Sequence, residues 1–135
     1  MPEQSAIAYQ EGRKAFVAGI SWQPISQSGY SKRTAEIREL ADRIDATKQI
    51  QLKTGYGVYV GLYNYDPDIS DEERKGSMYS LAALLAKKVG TQNSILFWRI
   101  KEGYRKDEVA LIVIEEGAPS LDFVASENEA MSTLQ

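Results

Sequence analysis

Among 135 residues there is no cysteine and no histidine. That removes disulfides, zinc ribbons, iron–sulfur clusters, thiolate nucleophiles and every nucleophile–imidazole pairing. Carboxylates, amines, hydroxyls and phenols are left for chemistry. Long apolar runs are missing too. The longest, Leu81–Ala86 and Val109–Ile114, are six residues each, where a membrane span needs about twenty. Positive charge is not in excess: 16 Lys and Arg stand against 19 Asp and Glu, net −3, so overall charge does not favour a nucleic acid or an anionic membrane. Met1-Pro2-Glu3-Gln4 has neither the basic start nor the apolar stretch of a secretory signal. The expectation is a soluble, cytoplasmic chain.

What is present is ordinary for one globular domain: 43% hydrophobic and 26% charged residues on a length that supports a single core. Ala6–Tyr9 and Lys14–Trp22 flank a short Gly-containing connection and predict a β-hairpin that Pro24 stops. Ser31 is placed to cap a helix in which Ile37, Leu40, Ala41 and Ile44 form one apolar stripe and the back is charged, with Arg38–Asp42 and Glu39–Arg43 spaced as i,i+4 pairs. Gln49–Lys53 and Gly57–Tyr65 read as strands, the second apolar on both faces and so central. Ser77 is the expected cap of a second helix, with Met78, Leu81, Ala82, Leu85 and Val89 on one face, Tyr79 in its first turn and Gly90 at its end. Ile95–Ile100 and Val109–Ile114 form a second hairpin around Lys101–Asp107. Gly117-Ala118-Pro119 turns into a last strand, Leu121–Val124. The prediction is an α+β fold: a single mixed β-sheet with two main helices in the order β-β-α-β-β-α-β-β-β, over residues 1–125, with 126–135 a weakly structured tail.

Several motifs fall short of the chemistry they suggest. Gly55-Tyr56-Gly57, with Gly61, is glycine-rich enough for a phosphate loop, but the segment runs into a strand, not into a helix N-terminus. The same residues half-match an RNA-recognition strand, with Val58 and Gly61 where stacking aromatics belong. Asp66-x-Asp68-x-Ser70 begins like a calcium loop but has Asp71 where glycine and Ser77 where glutamate is required. Asp68, Asp71, Glu115, Glu116 and Asp122 could serve acid–base chemistry, though no spacing forces two together. Trp22 and Trp98 sit at strand positions typical of core.

Three stretches together resemble a known family. Gly12-Arg13-Lys14-Ala15-Phe16-Val17-Ala18-Gly19-Ile20-Ser21-Trp22-Gln23 is similar to its opening "GR-x-FVAG-x-W" hairpin. Arg38-Glu39-Leu40-Ala41-Asp42-Arg43-Ile44-Asp45 is similar to the helix that follows. Gly76-Ser77-Met78-Tyr79-Ser80-Leu81-Ala82-Ala83-Leu84-Leu85-Ala86-Lys87 resembles its "G-MYSLAA-x-xAK" segment. The family is the PilO-type pilin accessory proteins of type IVb pili. The Asp66–Lys75 loop and the Lys101–Asp107 hairpin match nothing in that pattern. The resemblance implies the N-terminal cytoplasmic domain of an inner-membrane assembly-platform protein, tethered through a membrane segment beyond Gln135 and related to a subdomain of actin-like folds, as in type II secretion platforms. It implies a non-catalytic module without cofactor or metal that docks the assembly ATPase or other platform proteins, with room for a homodimer and no nucleic acid partner. The expected contact residues are Arg33, Arg38 and Asp42 on the first helix and Asp71, Glu72, Arg74 and Lys75 in the Asp66–Lys75 loop. The alternative function is nucleotide or RNA binding through Gly55–Gly61.

Overall fold

The computed structural model describes residues 4–55, 57–65 and 76–134. The first hairpin is β1 (Gln4–Glu11) and β2 (Lys14–Ala18), antiparallel, with a bulge between Ile7 and Tyr9. The expected second strand then breaks at Gly19, whose φ of 87° only glycine adopts without strain, and resumes as β3 (Ser21–Ile25). Pro24, expected as a stop, lies within β3 opposite Tyr59. It is tolerated because β3 ends the sheet and bonds only to one neighbour.

Helix α1 (Tyr30–Arg43) starts behind Gly29, without a side-chain cap from Ser31. Its predicted stripe is the face it buries: Ile37 meets Val60 and Leu62, with Leu40, Ala41 and Ile44 alongside. Glu36 binds the preceding loop, accepting from the Ser26 hydroxyl (2.7 Å) and the Ser26 and Gln27 amides, and Glu39 pairs with Arg43 at 2.6 Å.

Strands β4 (Lys48–Thr54) and β5 (Gly57–Tyr65) form an antiparallel hairpin. β5 is central, paired to β3 and β4 along its length and to the start of β1 in parallel. Gly61 has a packing reason: a Cβ there would stand 2.7 Å from Ile20 Cγ2, 2.9 Å from Trp22 Cζ3 and 3.0 Å from Ile50 Cγ2.

Ser77, expected to cap a helix, instead opens β6 (Ser77–Ser80), which runs parallel to β2 with Phe16 opposite Tyr79. The cap is Ser80, whose hydroxyl accepts from the Ala83 amide at 3.0 Å, and α2 is Leu81–Val89, ended at Gly90. Met78 and Tyr79 therefore point to opposite sides of a strand and do not share a helix turn.

The single sheet of the sequence reading is two sheets. Six strands form one, and β7 (Ser94–Arg99), β8 (Val109–Glu115) and β9 (Ala118–Ala125) form a separate antiparallel one. The turn into β9 is Glu116-Gly117, both at positive φ, so Ala118 and Pro119 belong to the strand. The unbroken apolar run of β8 explains the layering, since it needs cover on both faces. Inward, Ile112 and Ile114 pack with Ala82 and Ala86 of α2 and with Leu52, Trp22 and Tyr59 of the larger sheet. Outward, Val109 and Leu111 lie under Ala130 of a third helix, α3 (Glu127–Leu134), with Phe97, Leu121 and Phe123. That helix stands where a weakly structured tail was expected; Ala130 seated on the sheet and the Arg99–Glu127 pair at 2.7 Å hold it. Among the described residues no helix is long and apolar enough to cross a membrane.

Candidate functional site

Four aromatic side chains from four strands meet at the surface. Tyr79 on β6, Phe16 on β2 and Tyr9 on β1 stand side by side because the strand register puts Phe16 opposite both tyrosines. Ring centroids are 5.7 Å apart for Tyr79–Phe16 and 5.8 Å for Phe16–Tyr9, with planes inclined only 29° and 32°. Trp98 of β7 closes the row edge-on to Tyr9, at 5.8 Å and 83°. Its indole N–H donates to the Ala8 carbonyl at 3.0 Å, which fixes the ring across the junction of the two sheets. Ala8 and Ala18 are covered by Ile100, just past β7, and by Ala110 of β8. The row continues past that cover, leaving Tyr9 42% and Tyr79 44% exposed.

Two clefts flank the Tyr9–Trp98 pair. One, about 210 Å³, is walled by Leu81, Leu84, Leu85 and Leu96 with Lys88 at its rim. The other, about 230 Å³, is bounded by Gln10, Lys101, Glu102 and Tyr104. Lys101 Nζ lies 5.6 Å over the Trp98 ring and Arg105 stands 5.7 Å from the Tyr104 ring, cation–aromatic contacts that keep charge beside apolar surface. Exposed apolar residues scattered singly are commonplace; a contiguous row beside a leucine-walled cleft is the form an interaction surface takes.

The residues singled out from sequence lie elsewhere. Arg38 and Asp42 line a groove of about 410 Å³ between α1 and β4, with Tyr30, Thr34, Lys48 and Gln49. Arg33 is half-buried, its Nε without a hydrogen-bond partner. Asp71, Glu72, Arg74 and Lys75, and the half-matched calcium loop from Asp66, lie outside the described residues. Thr54 pairs with Gly57 across the antiparallel β4–β5 hairpin, so Gly57 opens a strand and not a helix. Of the candidate acids, Glu115 and Glu116 are exposed. Asp122 is buried, its Oδ1 accepting from the Gly19 amide at 2.8 Å and its Oδ2 from the Trp22 indole at 2.9 Å. Both oxygens face the protein's own donors, so Asp122 clasps the two sheets. Among the described residues no three Asp or Glu side chains gather as a metal site.

Sequence reasoning missed the aromatic row because it comes from four distant stretches and because Tyr79 was assigned to a helix. One signal was legible: in Ala15-Phe16-Val17 the small and branched residues alternate with a ring, and where Ala15 and Val17 point inward Phe16 must point out. No protein-family model matches this chain, and no curated protein matches it significantly.

Proposed function

We propose that this chain is a protein-docking domain with no catalytic chemistry of its own, and that its partner seats on the Tyr79–Phe16–Tyr9–Trp98 row. The observation that carries the reading is the row itself: rigid aromatic area held flat by strand register, half in solvent, beside an apolar cleft. Aromatic anchors in such settings carry most of the binding energy of protein interfaces. The resemblance of Gly12–Gln23 and Gly76–Lys87 to PilO-type accessory proteins supports the setting, a platform component at the cytoplasmic face of the inner membrane that recruits the pilus assembly ATPase. The same two stretches carry Phe16 and Tyr79. Tethering to a platform raises the local concentration of partners, so a modest contact suffices for recruitment.

The groove lined by Arg38 and Asp42 is a second surface, sharing no residue with the row. Co-purification with candidate pilus assembly ATPases separates the two. The Tyr9→Ser/Tyr79→Ser variant is expected to lose the partner and Arg38→Glu to retain it. Loss with Arg38→Glu alone would move docking to α1, and full recovery with both variants would refute docking at either surface. Nucleotide or RNA binding through Gly55–Gly61 is the alternative, and titration with magnesium-ATP tests its nucleotide form. A saturable rise in melting temperature would favour it, because a ligand that binds only the folded state must stabilise it.

A further inference from the structure

We infer that the segment docking on the aromatic row is an acidic peptide with one bulky apolar side chain, its ring or branched chain in the leucine-walled cleft and its carboxylates on Lys88 and Lys101. This rests on the docking reading above and adds the chemistry of the partner. The cleft beside Tyr9 and Trp98 is apolar on every wall except for Lys88. Leu84, on its rim, is 37% exposed. Across Trp98 the next cation is Lys101. Among the described residues neither lysine has an ion-pair partner, although the chain as a whole is acidic.

Among the described residues, other charges nearby do not cancel this pair. Glu11 stands opposite Lys14 at the end of the β1–β2 ladder, and Glu108 is held by Arg105. Glu102 borders the second cleft and offsets part of the Lys101 charge, so Lys88 is the stronger of the two contacts for an acid. An apolar anchor beside unpaired ammonium groups selects a carboxylate next to a large hydrophobe, and repels the basic counterpart. The geometry favours a side chain over a stacked base. Tyr9 stands tilted on Phe16 and edge-on to Trp98, the Trp98 N–H is already used, and the cleft beside them is aliphatic, where a flat face gains little.

The test is selection from a displayed library of random dodecapeptides on the native chain, on Lys88→Glu/Lys101→Glu and on Leu84→Asp. All three substituted positions are solvent-facing, and melting temperatures check that the variants fold. The native chain should enrich peptides with Leu, Phe or Trp within a few positions of Asp or Glu. The charge-swapped variant should enrich Lys and Arg instead and bind the native-selected peptide about tenfold more weakly at low salt. Leu84→Asp should enrich nothing. The inference is overturned if native chain and charge swap select the same peptides, if the native chain selects no more than Leu84→Asp, or if a mixed-sequence single-stranded 12-mer RNA binds more tightly and is lost in the same variants. The two readings fail separately. Loss of the ATPase in Tyr9→Ser/Tyr79→Ser without acidic enrichment overturns only the peptide chemistry, whereas unchanged ATPase recovery in that variant overturns docking at the row itself.

Discussion

Replacing Asp122 should destabilise the fold by more than any surface change, and in a graded way. The carboxylate accepts the Gly19 amide N–H on Oδ1 and the Trp22 indole N–H on Oδ2, and it is 5% exposed. Asp122→Asn keeps one oxygen acceptor but turns an NH₂ donor toward the other N–H. A hydrogen bond to a charged group contributes about 1.5–3 kcal/mol, and the facing donors add a desolvation cost of similar origin. Asp122→Ala strands both donors in the interior, for about 2–6 kcal/mol in all. For a chain of this length each kcal/mol moves the melting temperature by roughly 3–5 °C. Asn should therefore lower it by about 5–15 °C and Ala by more.

Urea and thermal melts followed by tryptophan fluorescence measure this. Trp22→Phe removes the Oδ2 donor alone, so the double variant with Asp122→Asn should lose about 1 kcal/mol or more less than the sum of the single losses. A melting temperature for Asp122→Asn within about 2 °C of the native value, or strict additivity with Trp22→Phe, would refute the clasp. The aspartate would then be an incidental buried acid.

Gly61→Ala should cost about 1–3 kcal/mol by overpacking, because the new methyl meets Ile20, Trp22 and Ile50 at 3.0 Å or less; a stabilised variant in urea melts would contradict the close approach. Ile112→Ala, at the inter-sheet core, should cost about 2–5 kcal/mol, and a loss below about 1 kcal/mol in the same melts would mean the two sheets pack loosely. Glu36 gives a pH signature. Its hydrogen bonds from the Ser26 hydroxyl and the Gln27 and Ser26 amides hold its carboxyl below the ordinary range. A depressed folded-state value means the contribution is full above the unfolded-state pKa and lost as pH falls through the folded one. The difference in melting temperature between native chain and Glu36→Gln should accordingly be present at neutral pH and shrink on acidification. A difference that grows toward acid would reverse the assignment.

The parts of the fold most legible in the sequence were those in which one periodicity ran uninterrupted. The Ile37–Leu40–Ala41–Ile44 stripe became the buried face of α1, and β5, apolar on both sides, became the centre of its sheet. Legibility failed where a short segment had two compatible patterns. Ser77-Met78-Tyr79-Ser80 supports a helix start as well as a strand, and only pairing with Lys14–Val17 decides it. Whether the strands make one sheet or two was also hidden, since the apolar run of β8 calls for cover on both faces without saying which strands it pairs with. The aromatic row was beyond local pattern for the same reason. Tyr9 meets Phe16 only because the bulge after Ile7 shifts the register, and Trp98, expected as core, is core on one edge and site wall on the other.

Amide hydrogen exchange of this chain with and without a candidate pilus assembly ATPase, the partner proposed above, tests the docking claim most directly. Slowed exchange is predicted in residues 9–16, 77–88 and 96–104, the segments that carry the row and its clefts, with α1 unchanged. Slowing confined to residues 30–51, or no slowing anywhere at saturating ATPase, would contradict it.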